Sequence, residues 1–151
     1  MSAPLRGAIR LPDGTPVRGR SLRAPLPDGP SPDYGLYLVG RFRRRQGRRW
    51  EPGWEADWIV WPDFRTPADP RQAACAIVEA FRRAQAGGRV EVACGGGRGR
   101  TGTVLACMAV LAGVPAEHAV AWVRANYQAR AVETRRQRAW VQWFALQDLP
   151  C

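Results

Sequence analysis

Lysine is absent from this chain of 151 residues, and histidine occurs only once, as His118. The four cysteines, Cys75, Cys94, Cys107 and Cys151, form no C-x-x-C pair. Zinc sites draw on paired thiols and several imidazoles, so this inventory excludes the usual ones, and no metal or cofactor is expected. Long apolar runs are missing too. The longest, Val104 to Ala112, falls far short of the ~20 residues that a membrane-spanning helix needs. The opening segment, MSAPLRGAIRLPDG, meets Arg, Pro and Gly before any apolar stretch develops, so it lacks a signal-peptide pattern. The expectation is a cytoplasmic monomer whose thiols stay reduced.

Acidic residues are scarce as well. Thirteen stand against 23 basic residues, all of them arginine, for a net charge of +10. That surplus favours polyanionic or phosphorylated partners. An all-arginine inventory also follows from GC-rich coding, which weakens it as a guide to nucleic acid; such a partner is allowed but not favoured. The densest basic run, GRFRRRQGRR from Gly40 to Arg49, reads as a solvated turn between strands.

What is present suits one globular domain over residues 1–151, with 46% hydrophobic and 24% charged residues. Residues 1–33 are rich in Pro and Gly, with a short strand expected at Val17 to Leu22. YGLYLVG (Tyr34 to Gly40) and ADWIVWP (Ala56 to Pro62) carry the aromatic and β-branched residues of strands. DPRQAACAIVEAFRRAQAGG reads as a helix with Asp69 as N-cap, Pro70 as first residue and Gly87 as stop. RVEVA follows as a strand, then a glycine-rich turn, then a helix from about Thr101 to Ala112. A further helix starts at Pro115 and puts Ala116, Ala119, Val120, Val123 and Tyr127 on one face. The last begins near Thr134 and turns Trp140, Val141 and Phe144 to the core. Strand and helix alternate over residues 56–112, which predicts an α/β fold with a central, largely parallel sheet flanked by helices.

The turn after RVEVA carries the chemistry. Between Cys94 and Gly102 lie five glycines and two arginines. Without Cβ atoms, successive backbone N–H groups can converge on one point, and the following helix adds the positive end of its dipole. That concavity suits a tetrahedral dianion, and Arg100 can grip two of its oxygens with a planar fork. The same dipoles favour a thiolate at Cys94, which makes it a nucleophile beneath a bound phosphoryl group. Nucleotide loops are excluded: GGGRGRTG supplies neither the lysine of GxxxxGK[ST] nor a GxGxxG with its acidic residue.

These residues resemble a known family. The segment 94–102 is similar to the C-x5-R-[ST] signature loop of cysteine-dependent protein tyrosine and dual-specificity phosphatases. WPDF (Trp61 to Phe64) resembles that family's mobile loop, whose aspartate is the general acid. The separation of 31 residues between Asp63 and Cys94 resembles the compact dual-specificity members. AVETRRQ (Ala131 to Gln137) resembles the [EQ]-T-x-x-Q segment that positions the hydrolytic water. Low-molecular-weight phosphatases run in the reverse order, with the acid far downstream of the cysteine.

The resemblance implies a tyrosine/dual-specificity phosphatase-like fold and a metal-independent phosphomonoester hydrolase working through a cysteinyl-phosphate intermediate. In it Cys94 attacks phosphorus, while Gly95, Gly96, Gly97, Arg98, Gly99 and Arg100 cradle the phosphate. Asp63 serves as acid and then base, Thr101 stabilises the departing thiolate, and Gln137 holds the water. Asp69, an N-cap by its position, is the rival acid. T-x-x-Q is also a capping box, which needs no catalysis to explain it. The sequence departs from the family in three places. Ala93 replaces the usual histidine before the nucleophile, Glu133 stands where many relatives have glutamine, and Gln128-Ala129 replaces a common Arg-Pro. The expected substrate is a phosphorylated protein or small phosphomonoester, with the recognition loop somewhere in residues 34–50. Alternatives are a phosphoinositide or RNA 5′-phosphate, or a non-catalytic module that binds phosphorylated ligands. Cys107 reads as core, with a protective disulfide to Cys94 as the lesser alternative, as for Cys75, and His118 lies on a helix face with no catalytic part.

Overall fold

The computed structural model describes residues 3–40, 51–149 and 151. Among them five strands form one sheet: β1 (Ile9–Arg10), β2 (Pro16–Ser21), β3 (Tyr34–Val39), β4 (Glu55–Val60) and β5 (Val90–Cys94). Their spatial order is β1-β2-β5-β3-β4, with β1 antiparallel to β2 and every other pairing parallel. The helices are α1 (Pro70–Gln85), α2 (Gly99–Leu111), α3 (Ala116–Asn126) and α4 (Arg135–Ala145). The expected α/β architecture is therefore present. Central β5 is buried along its whole length, as a parallel strand covered on both faces must be.

The core gathers Leu36, Leu38, Val92, Val104, Leu105 and Met108 between the sheet and its helices. Trp61 and Trp140 meet there with ring centroids 5.2 Å apart. α2 packs against both α3 and α4, and α1 lies across β3 and α2. Residues 41–49 of the arginine run, and the part of the expected recognition loop beyond Gly40, lie outside the described residues. Among the described residues, no helix is long and apolar enough to cross a membrane.

Local signals set the helix boundaries. Asp69 accepts a hydrogen bond from Gln72 N–H at 3.1 Å, Pro70 opens α1, and Gly87 follows its end with φ of 98°. Asp69→Ala is expected to lower stability by about 1 kcal/mol with kcat little changed. Thermal melts beside a turnover assay check this, and a large kcat loss would return Asp69 to contention as the acid. Two expectations need correction. α2 starts at Gly99 rather than near Thr101, because Gly102 N–H already bonds the Arg98 carbonyl at 2.8 Å, and its first turn packs closely on the 131–133 segment. A Cβ on Gly102 would lie 2.7 Å from that of Ala131 and 2.8 Å from Val132 N. The thiols are not all reduced either: Cys75 of α1 is bonded to Cys151, with Cα atoms 5.5 Å apart. The chain end returns to α1 across a sequence separation of 76 residues, which no local pattern announces. Cys94 and Cys107 remain free, and full burial pushes the Cys107 thiol well above its ordinary pKa, as suits a core residue.

Candidate active site

Parallel strands end together, and the loops leaving their carboxyl ends enclose a crevice where ligands of α/β proteins bind. β5 brings Cys94 to that end between β2 and β3. Its Sγ is buried and accepts the N–H of Gly97 at 3.2 Å. Gly97 has φ of 70°, and a Cβ there would lie 2.7 Å from the carbonyl carbon of Arg20. Only glycine lets the loop curl over its own cysteine while resting on β2.

The far side of the loop is tied down. Tyr127 Oη and Gln128 Nε2 donate to the Gly97 carbonyl at 2.5 and 2.9 Å. Because the peptide is planar and trans, fixing that carbonyl turns the next N–H, of Arg98, the opposite way. Burial pushes the Tyr127 phenol up to about 12, and charge on Cys94 raises it too, so Tyr127 stays a donor at neutral pH. Beneath the loop, Glu91 of β5 receives Arg18 at 2.6 Å, Arg20 at 2.8 Å and Tyr37 Oη at 2.7 Å. Burial opposes its charge, but hydrogen bonds from Arg20, Tyr37 and Arg18 hold its carboxyl below the usual range.

Arg100 lies in the first turn of α2, almost fully buried. Nη1 donates to the carbonyls of Leu38 at 3.3 Å and Trp61 at 3.1 Å, and Nη2 sits 3.4 Å from Asp63 Oδ1. Its Nε and the Thr101 hydroxyl are buried with no hydrogen-bond partner. Unpaired buried polar groups are costly, and these two, in the helix turn that follows Cys94, are open to acceptors from outside the chain. Asp63 reaches this place from the loop after β4. Trp61 is buried at the loop's base and donates from Nε1 to Arg65 O at 2.6 Å. It is thus both core and anchor.

Cys94, Asp63, Arg98, Gly96 and Gly99 line one cleft of about 410 Å³, together with Ser21, Arg23, Phe64 and Glu133. Two residues on its flanking segments, Phe64 and Val132, have φ of 62° and 63°. Such left-handed backbone costs side-chain-bearing residues about 1–3 kcal/mol each and clusters at functional sites. A second cleft of about 350 Å³ lies at the other end of β5, beside Leu5, Val17 and Val90. Neither a cysteine nor a carboxylate lines it.

The third expected motif divides differently. Gln137 is buried and, like Gly95, Gly97, Arg100 and Thr101, is not among the residues lining the cleft, although its Oε1 lies 3.2 Å from where a Cβ on Gly99 would be. Its Oε1 accepts the N–H groups of Glu133 at 2.8 Å and Thr134 at 3.3 Å, and its Nε2 donates to Arg65 O at 3.3 Å. The capping box is complete, and the side chain links the start of α4 to the Asp63 loop. Both ends of its amide serve the backbone, so in this conformation Gln137 has no free acceptor for a water. Glu133 is the residue of that segment on the cleft, its carboxylate close to Gly99 at the start of α2. Sequence reasoning passed over Arg23, and it read Tyr127 only as a helix-face residue.

A phosphatase family model, described as the Swiss Army Knife protein DSP-PTPase phosphatase domain, matches residues 61–142, more than half of the chain. The chain belongs to this family. It is a cysteine-dependent phosphatase of the tyrosine and dual-specificity type. Solved structures share its fold. Tk-PTP in its active form is 22% identical over 93% of this chain and 97% of its own, with a TM-score of 0.69. Human DUSP28 is 18% identical over 91% and 94%, with a TM-score of 0.60. A mouse protein described as a putative dual specificity phosphatase, in complex with zinc tungstate, is 18% identical over 96% and 90%, also at 0.60. No curated protein matches the sequence at a significant level.

Proposed function

We propose that this phosphatase hydrolyses phosphomonoesters in two steps through a phosphate carried on Cys94. The thiolate attacks phosphorus, the P–O bond to the leaving group breaks, and Asp63 gives that oxygen its proton. Water then attacks the thiophosphate, Asp63 takes the proton back, and the sulfur leaves as thiolate with the Thr101 hydroxyl as donor. Arg100 and the amides of residues 95–99 hold the three equatorial oxygens throughout. The observation that carries this reading is the pair of unpartnered buried donors, Arg100 Nε and Thr101 Oγ1, in the helix turn that follows free Cys94. The Asp63 carboxylate within 3.4 Å of Arg100 supports its part as acid over the same phosphate. With Gln137 committed to the backbone, Glu133 is the better candidate to orient the water. Phosphorylated proteins, inositol phosphates and 5′-phosphorylated RNA all offer such an ester, and the cationic rim of the cleft narrows the choice.

Asp63→Ala tests the mechanism through the leaving group. With phosphotyrosine, whose oxygen departs poorly as an anion, kcat is expected to fall by about 10²–10⁴-fold. With p-nitrophenyl phosphate the loss should be much smaller, since that oxygen leaves without a proton. Equal losses on the two substrates would overturn the assignment of Asp63 as the acid.

A further inference from the structure

Hydrolysis of a phosphomonoester accounts for Cys94, Arg100 and Asp63, but it leaves two other cations on the cleft without a task, Arg23 and Arg98. The backbone holds Arg23 there. Leu22 N–H donates to the Cys94 carbonyl at 2.8 Å, and Arg23 N–H to the Gly95 carbonyl at 3.4 Å. Ser21 Oγ donates to that same carbonyl at 2.6 Å and accepts Arg23 N–H at 3.1 Å. The β2–β5 pairing is thereby prolonged past the cysteine, and it delivers the Arg23 side chain onto Gly95 and Gly96. A Cβ on residue 95 would lie 3.3 Å from Nη2 of Arg23 and 3.3 Å from Nη2 of Arg100. Two guanidinium groups thus flank a single glycine of the loop.

Arg100 has Asp63 as counter-charge, whereas among the described residues no carboxylate pairs with Arg23 or Arg98. The Asp63 and Glu133 carboxylates line the same cleft but form no ion pair with Arg23 or Arg98, so an arriving anion still meets two cations without carboxylate partners. We propose that the preferred substrate is a compact bisphosphorylated molecule, with its scissile phosphate in the 94–100 loop and its second phosphate on Arg23. This rests on the phosphomonoester chemistry proposed for the cleft and adds a second anion to it. The spacing argues for compactness. Both guanidinium groups approach one point, which suits phosphates on neighbouring atoms of one scaffold. Successive side chains of an extended peptide instead point to opposite faces. The planar fork of arginine also matches phosphate oxygens in pairs.

The probes are an inositol bisphosphate with adjacent phosphates, the corresponding monophosphate, and phosphotyrosine peptides with acidic or neutral flanks. Binding is measured first in the Cys94→Ser protein, where ligand is not consumed. The bisphosphate is expected to bind about tenfold more tightly than the monophosphate, the scale of a charge-assisted contact at a solvent-facing site. Adding Arg23→Ala should bring that ratio close to one, and Arg23→Lys should restore only part of it. A ratio of one in the parent, or an unchanged ratio in Arg23→Ala, overturns the proposal. So does a preference confined to the acidic peptides. The same headgroup carried on vesicles, run beside the soluble form, distinguishes a lipid from a free substrate.

Turnover by the wild type separates this proposal from the one beneath it. Hydrolysis of p-nitrophenyl phosphate without a bisphosphate preference leaves the phosphatase mechanism standing and removes the second-anion site. An Arg23-dependent binding preference without hydrolysis of any phosphomonoester keeps the site and removes the mechanism.

Discussion

Cys94→Ser is expected to abolish hydrolysis of aryl phosphates while the fold and phosphate binding survive. The change replaces one buried chalcogen by another at the end of β5, and the hydroxyl can still accept the Gly97 N–H that Sγ accepts at 3.2 Å. What disappears is the ionised nucleophile. A serine hydroxyl attacks only with a base to take its proton, and the sole histidine, His118, lies exposed on α3. A loss of about 10⁴-fold or more is expected, on the scale found when a covalent nucleophile is removed. Rates on p-nitrophenyl phosphate, phosphate binding by calorimetry and a thermal melt together check it. Mutant turnover comparable to wild type would remove Cys94 as nucleophile. The wild-type rate should be the same in EDTA, because the proposed chemistry uses only the thiol, the arginine and the carboxylate.

Arg100→Lys keeps the charge and is still expected to lower kcat by about 10²–10³-fold, the usual cost of one donor to a developing oxyanion. Arg100 does two things that lysine cannot do together. Its Nη1 spans the carbonyls of Leu38 and Trp61, which fixes the plane of the group, and its buried Nε is left without a protein partner. An ammonium is a point charge without that fork, so it can satisfy the carbonyls or the phosphate but not both. Some loss of thermal stability accompanies the change, since a buried carbonyl loses its donor. The informative comparison is kcat at a temperature well below the melt of both proteins. A loss below about tenfold would mean that the loop binds something other than a phosphoryl transition state.

Much of the site could be read from adjacent residues. The run from Cys94 to Gly102 carries its thiol, glycines and arginine in one turn, and the phosphate cradle proposed there would be built from consecutive backbone amides. Asp69, Pro70 and Gly87 mark the bounds of α1 by local capping chemistry, and Thr134 with Gln137 does the same for the start of α4. The strand–helix alternation sufficed for the parallel sheet. The same local logic leaves a choice open where one residue type serves two purposes. A glutamine three residues after a capping threonine is equally a capping residue and a water ligand, and only its surroundings decide. Here both ends of its amide meet backbone partners, and Glu133 takes the cleft.

By itself, then, the amino-acid order determined the class of chemistry and the α/β architecture, since these depend on periodicity, caps and one contiguous loop. Tertiary structure decided everything that requires distant segments to meet. Arg23 sits in a Pro/Gly-rich stretch with no motif around it, and it becomes a cleft residue only because β2 pairs with β5 across 73 residues of chain. Tyr127 and Gln128 hold Gly97 from 30 and 31 residues away. Cys151 finds Cys75 because the chain end returns to α1. Contacts of this kind are set by which surfaces bury together, a property of the packed chain that no local pattern of residues records.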